Sequence, residues 1–286
     1  MAGSTYNVTS PETLESALVF ASPHSGRKYT PDFLRHSVLD ERTIRSSEDA
    51  YVDHLFGAAP EFGAPFITAT APRAFLDLNR SPDELDPALI TGVRSNGHNP
   101  RIASGLGVIP RVVAGGRAIY RGKMSRQEAE QRIESYWHPY HNALQGLLDR
   151  AHARFGQAIL IDCHSMPHEA MDGIARGSVK RPDVVLGDRF GAAASERIVD
   201  QVEEAFTQAG FTVTRNAPFA GAYITQSYGR PSRQQHAIQV EIDRSLYMNE
   251  RRVEQNANFQ SVRLTLRQVI SEISQIGLAR IPLAAE

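Results

Sequence analysis

The chain has 286 residues, 41% hydrophobic and 22% charged, with a formal net charge of −1. That balance fits a globular protein with a sizeable core and gives no ground for a nucleic-acid or anionic-membrane surface. One cysteine excludes an intramolecular disulfide and a cysteine-rich zinc site. The N-terminal MAGSTYNVTS lacks the basic-then-apolar pattern of a signal peptide and no apolar run is of membrane-spanning length, so the expected setting is reducing and cytoplasmic.

In chain order, residues 17–21 (ALVFA) read as a first core strand that ends in the polar turn Pro23-His24-Ser25-Gly26. Thr30-Pro31 predicts a short helix start within 28–39. Ser46 and Ser47 precede Glu48-Asp49 and the apolar positions Tyr51, Val52, Leu55 and Phe56, which is the pattern of a helix with a serine cap and an acidic first turn. Residues 65–78 read as an extended stretch that delivers Asp77-Leu78-Asn79-Arg80. The polar region at 81–107 is long, and in a compact domain a segment of such length is usually functional or mobile. A short hairpin is predicted around Ala114-Gly115-Gly116.

The longest helical pattern runs over 125–153, with Ser125 and Glu128 in capping-box spacing and Pro139 expected to kink or split it. His138 and His141 lie three apart on this helix and read as packing or surface residues beside Trp137 and Tyr140. Next comes AILIDCHSM at 158–166, four apolar residues leading into Asp162, Cys163, His164 and Ser165 before Pro167 breaks the run. This predicts a buried strand, and alternation sets Asp162 and His164 on one side and Cys163 on the other. Strands follow at 182–187, 211–215 and 236–242, with a Gly- and Tyr-bearing loop at 217–229. Helices are predicted at 195–209 and at 255–276, the latter with Val262, Leu264, Leu266, Val269, Ile270 and Ile273 as its apolar positions. Strands and helices interleave without a repeat or a linker, so the expectation is one α/β domain over 1–286, a mixed sheet flanked by helices on both faces.

Three predicted strand ends carry ionisable groups: His24, His164 and Glu241. Open α/β sheets place their sites at such ends. A catalytic zinc site takes three ligands from His, Asp or Glu and keeps a fourth position for water. The metal acidifies water and polarises a carbonyl, and a separate carboxylate completes proton transfer. Other chemistries fit less well. Cys163 points away from His164, and Ser165 lacks the G-x-S-x-G turn of a serine nucleophile.

Eight segments, taken in order and combination, resemble the N-formylglutamate amidohydrolase family over about residues 22–250. They are SPHSG at 22–26, EDAYVDHLF at 48–56, R-x-x-x-DLNR from Arg73 to Arg80 and YWHPYHNAL at 136–144, followed by DCHSMP at 162–167, PDVVLG at 182–187, FAGAYITQSYGRP at 219–231 and QVEIDRSLYMNE at 239–250. The resemblance implies a phosphorylase/hydrolase-like fold of the zinc carboxypeptidase and aspartoacylase kind. It also implies one zinc ion or another divalent transition metal, a small N-acyl amino acid as substrate, and a place in histidine degradation. Carried over by position, His24, His164 and Asp49 are the metal ligands, with Glu48 as the alternative third ligand. Glu241 is then the general base and Arg73 the group that steadies the oxyanion. Asn79 and Arg80 form a carboxylate clamp, and Tyr223 and Arg230 lie in a loop over the substrate. Two alternatives remain open at this point: the same site acting on another N-acyl amino acid or small peptide, and a metal-free carboxylate-binding protein.

Overall fold

Seven strands build the central sheet of the computed structural model, which describes residues 4–94, 99–173 and 181–278. They are β1 (Tyr6–Thr9), β2 (Leu18–Ser22), β3 (Phe66–Ala69), β4 (Ala158–Met166), β5 (Val184–Gly187), β6 (Val213–Arg215) and β7 (Gln235–Asp243). Their order across the sheet is β1-β3-β2-β4-β7-β5-β6. The four central strands β3, β2, β4 and β7 run parallel. Strand β1 lies antiparallel on one edge, while β5 pairs antiparallel with β7 and carries β6 parallel to itself. The sheet is therefore mixed, and the carboxyl ends of the four parallel strands open onto one side of the molecule.

Five helices matter for the core: α1 (Val52–Leu55), α2 (His138–Phe155), α3 (Glu196–Gln208), α4 (Tyr223–Tyr228) and α5 (Phe259–Ile273). One sheet face presents Leu18, Phe20, Ile159, Ile161, Ile238 and Val240 to buried side chains of α1, α3 and α5. The other presents Val19, Ala21, Leu160 and Ala237 to Tyr140, Leu144 and Leu147 of α2 and Ile224 of α4. Both faces are covered, and so β4 and β7 are buried at every residue, as the near-continuous apolar runs require. Toward their carboxyl ends the second face changes character. Along β4 the row Leu160, Asp162, His164 passes from apolar to ionisable, and along β7 the row Ala237, Gln239, Glu241 does the same. The register pairs Asp162 with Gln239 and His164 with Glu241. Cys163 points to the opposite face and is buried in the apolar core there.

Several local expectations hold and several are corrected. Thr30 caps the helix Pro31–His36 as expected, and the hairpin pairs Val112–Val113 with Arg117–Ala118. Ser125 accepts from the Glu128 N–H at 3.1 Å, but the Glu128 carboxylate pairs with Arg132 instead of closing the capping box. Ahead of Pro139 the long helix widens into a π-turn over Ile133–Trp137; proline lacks an N–H and crowds the carbonyl four residues back, and the wider turn relieves both. The serine cap before α1 does not form. Residues Thr43–Ser47 are a 3-10 turn, and α1 starts behind Tyr51, whose backbone is left-handed at φ 66°. Leu264, expected on the buried face of α5, is 62% exposed. The loop predicted at 217–229 contains α4. Residues 95–98 of the long polar region and 174–180 after β4 lie outside the described residues. No helix among the described residues is long and apolar enough to cross a membrane.

Candidate metal centre and active site

The turn after β2 supplies the first site residue. In SPHSG the Ser22 hydroxyl donates to Ser25 at 2.8 Å, and the chain passes so close to Ala71 that a side chain on Gly26 would collide with its carbonyl. This close approach fixes His24. Its backbone carbonyl accepts the Asp49 N–H at 3.0 Å, so the segment before α1 is tied directly to the segment after β2. The left-handed Tyr51 makes the bend that allows this, and its ring is held against Phe259 at 5.9 Å. A non-glycine residue in that region is under strain and persists where its surroundings fix it.

His24, Asp49 and His164 converge, with one ligand-type atom from each lying within 4.8 Å of the others. His24 donates from Nε2 to Asp77 at 2.7 Å, and its Nδ1 stands 3.4 Å from Asp49 Oδ2. That Nδ1 is buried and has no hydrogen-bond partner among the described residues. His164 mirrors the arrangement, with Nε2 3.0 Å from Asp162 and Nδ1 2.9 Å from the same Asp49 oxygen. Each imidazole thus has one nitrogen oriented by a carboxylate and the other turned to a shared point, as in carboxylate–histidine–metal arrangements. Arg244 occupies the other Asp49 oxygen at 2.9 Å, so Asp49 offers a single oxygen to the histidines. This group could hold a metal ion, and two imidazoles with one carboxylate suit zinc.

The electrostatics follow from burial and pairing. Burial alone would raise the Asp49 carboxyl, but the imidazoles of His164, hydrogen-bonded to it, and of His24 beside it hold it well below the usual range. Burial would likewise lower His164, yet Asp162 and Asp49 together raise it well above its ordinary value. Glu241 behaves differently. Burial pushes it up to about 7, with Asp49 adding to the rise and His164, Arg73 and Arg244 opposing it. Gln239 donates to one Glu241 oxygen at 2.8 Å and fixes the carboxyl beside His164 across the β4–β7 register.

Of the two adjacent carboxylates, Asp49 is the one that faces the histidines. Glu48 is fully buried elsewhere, gripped by Arg45 through Nε at 2.9 Å and Nη2 at 3.1 Å and by the Tyr29 hydroxyl at 3.0 Å. Arg73 pairs with Asp77 at 2.9 Å while its side chain stays 26% exposed at the cavity wall. The cavity measures about 580 Å³ and includes His24, Asp49, His164, Glu241, Arg73 and Arg80 in its lining.

The structure places the expected substrate residues differently from one another. The Asn79 amide is engaged by the protein: Nδ2 reaches Gln239 at 3.3 Å and lies 3.2 Å from His164 Nε2, while Oδ1 accepts the Ile224 N–H at 2.8 Å. Asn79 therefore braces the histidine and the start of α4, and it lines the cavity together with Arg80. Tyr223 packs with Trp137 and His141, each at a ring distance of 5.5 Å, while the residues before it, 218–222, form the cavity wall. Arg230 is remote. Its backbone bridges to Gln235 at the start of β7, the opposite end from Glu241, and it lines a separate cavity with Asp149 and His152. His141, read as structural, donates from Nε2 to the Leu78 carbonyl at 2.9 Å and accepts at Nδ1 from the Tyr228 hydroxyl at 2.8 Å.

Sequence reasoning missed Gln239 and Arg244. Gln239 stands two residues before Glu241 on the same strand face, so alternation could have found it. Arg244 follows β7 in a turn, and only the tertiary fold shows that it meets Asp49.

Comparison with known proteins gives the family. Residues 16–248 match the N-formylglutamate amidohydrolase family. N-formylglutamate deformylases of Pseudomonas putida and Pseudomonas aeruginosa are each 30% identical over 240 residues, covering 82% of this chain and 82% of theirs. The structure of N-formylglutamate amidohydrolase from Ralstonia eutropha JMP134 superposes with a TM-score of 0.88 at 34% identity, covering 95% of this chain and 97% of that one. A protein of Agrobacterium tumefaciens, 14% identical with a TM-score of 0.65, shares the fold. The chain belongs to the N-formylglutamate amidohydrolase family.

Proposed function

We propose that this chain is a zinc-dependent amidohydrolase that converts N-formyl-L-glutamate and water to L-glutamate and formate. The observation that carries the reading is the convergence of His24 Nδ1, His164 Nδ1 and one Asp49 oxygen beside a base poised at about 7. Family membership supports the substrate, since both Pseudomonas relatives are named for deformylating N-formylglutamate. The expected kinship of fold with zinc carboxypeptidases and aspartoacylases belongs to the same reading.

In this reading His24, Asp49 and His164 hold the zinc ion. Zinc bound there would lower the pKa of water and polarise the formyl carbonyl. Glu241 takes the proton of the attacking water, which suits a base whose pKa lies near neutrality. Gln239 keeps the carboxyl aimed while it does so. Arg73, anchored through Nε on Asp77, faces the negative charge that develops on the tetrahedral oxygen and stabilises it. Glu241 then returns its proton to the leaving amine, giving glutamate and formate. Arg80, at the cavity wall, pairs with a substrate carboxylate through the guanidinium hydrogens that the Leu106 and Asn79 carbonyls leave free.

A metal-free binding protein would leave the buried His24 Nδ1 without a purpose, and a buried unpaired polar atom costs about 1–3 kcal/mol. The test is formate release from N-formyl-L-glutamate by chelator-treated protein, before and after zinc is restored. Release that returns with zinc is the expected result. Zinc uptake without release would discard the substrate, and release from metal-free protein would discard the metal.

A further inference from the structure

Four arginines line the cavity: Arg73, Arg80, Arg101 and Arg244. Two are neutralised within the protein, Arg73 by Asp77 at 2.9 Å and Arg244 by Asp49 at 2.9 Å. The other two have no carboxylate at ion-pair distance among the described residues. Arg80 is only 8% exposed and gives its Nε and Nη1 hydrogens to neutral acceptors, the carbonyls of Leu106 at 3.1 Å and Asn79 at 3.1 Å. Burial pushes its guanidinium down, and the charges of Arg73 and Arg101 press the same way against Asp77. Arg101 is exposed at the rim.

The segment that carries Arg101 is fixed to Arg80. Asn99 caps the short helix Pro100–Ala103 by accepting from the Arg101 N–H at 3.0 Å. The Leu106 N–H returns to the Arg101 carbonyl at 2.8 Å, and the Leu106 carbonyl is the one that Arg80 holds. Arg111 closes the turn by donating its N–H to Gly105 at 2.8 Å and is itself paired with Asp86. One cation at depth and a second at the rim, joined by a braced turn, suit a ligand with two negative groups.

We propose that Arg101 is a second carboxylate anchor, which makes the cavity selective for N-acyl amino acids with an acidic side chain over neutral isosteres. The proposal rests on the hydrolase reading above for the identity of the ligand. Arg80 takes one carboxylate of the dicarboxylate and Arg101 the other, each by charge-assisted hydrogen bonds. Since one end of the ligand meets a cation in partial contact with water, the expected discrimination is about tenfold or somewhat more.

Two measurements test it. The first is kcat/KM for N-formyl-L-glutamate and N-formyl-L-glutamine with wild type, Arg101→Gln and Arg101→Lys. Wild type should prefer the glutamate by about tenfold or more; Arg101→Gln should lose that preference through KM, and Arg101→Lys should keep part of it. The second is calorimetric binding of glutarate and its monoamide to the same zinc-loaded proteins, which needs no turnover. Wild type should bind glutarate the more tightly, and Arg101→Gln should bind the two alike. Equal discrimination by wild type and Arg101→Gln, or none in wild type, overturns the role of Arg101 whether or not formylglutamate is hydrolysed. Failure of wild type to hydrolyse either substrate, with glutarate selectivity lost in Arg101→Gln, removes the deformylase reading and leaves the anchor standing.

Discussion

Two buried histidine environments, some residues apart in sequence but on the same side of the sheet, show what separates a ligand from a packing residue. His141 on α2 has both nitrogens satisfied by Tyr228 and the Leu78 carbonyl and lies tilted against Trp137 at a ring distance of 3.9 Å. Burial then lowers its pKa to about 4, so it is held neutral. His24 and His164 are equally buried, but carboxylates surround them, and each turns one nitrogen toward Asp49. A histidine surrounded by neutral partners is locked as structure, whereas one oriented by a carboxylate can turn its other nitrogen to a metal ion. Burial alone does not distinguish them; the charge of the neighbours does.

The sharpest way to separate the ligand set from the chemistry is Glu241→Gln. Turnover should fall by about 10²–10⁴-fold while zinc stoichiometry is unchanged, because Glu241 is not among the converging ligand atoms. Retained turnover would remove its role as base. Arg244→Ala probes the ligand side next. Without the guanidinium on Asp49 Oδ1, zinc affinity measured against a competing chelator should weaken by about 10–100-fold, and an unchanged affinity would show that Asp49 needs no such brace.

Acid should distinguish the two environments as well. Glu241 acts only when deprotonated, and burial raises it to about 7, so kcat/KM should drop as pH falls through about 7, approaching tenfold per unit below it. A flat profile between pH 8 and 5 would contradict this. A separate effect, on stability and not on turnover, belongs to His141. Its folded-state value of about 4 lies below the ordinary 6.5, so the unfolded chain takes up the proton first and stability is lost as pH falls from 6.5 toward 4. Denaturant unfolding of His141→Gln should lose up to about 3 kcal/mol less between pH 7 and 4.5 than wild type does. Equal acid sensitivity in the two would mean that another group carries it.

Much of this site is written locally. The alternation in AILIDCHSM sets Asp162 and His164 on one face because a strand admits no other arrangement, and the same reasoning applied to QVE would have shown Gln239 beside Glu241. The choice between Glu48 and Asp49 also has a local signal, since Arg45 lies three residues before Glu48 and captures it. Other features depend on the path of the chain. The left-handed turn at Tyr51 replaced a serine cap that the composition favoured, because the backbone bond between Asp49 and His24 fixes that segment. Arg230 was misplaced by sequence proximity: α4 carries the chain roughly 9 Å away from the cavity wall, back to the start of β7. Arg244 and Arg101 reach the site from a turn and a rim that only the assembled sheet brings near.

The most direct test of the account is zinc content and thermal midpoint for wild type, His24→Ala and His141→Gln, each stripped with chelator and then given excess zinc. Wild type and His141→Gln should each take up one equivalent and gain several degrees, on the order of 5 °C at zinc 100-fold above its dissociation constant. His24→Ala should gain neither. Zinc retained by His24→Ala, or lost by His141→Gln with its fold intact, would contradict the assignment of His24, Asp49 and His164 as the metal centre.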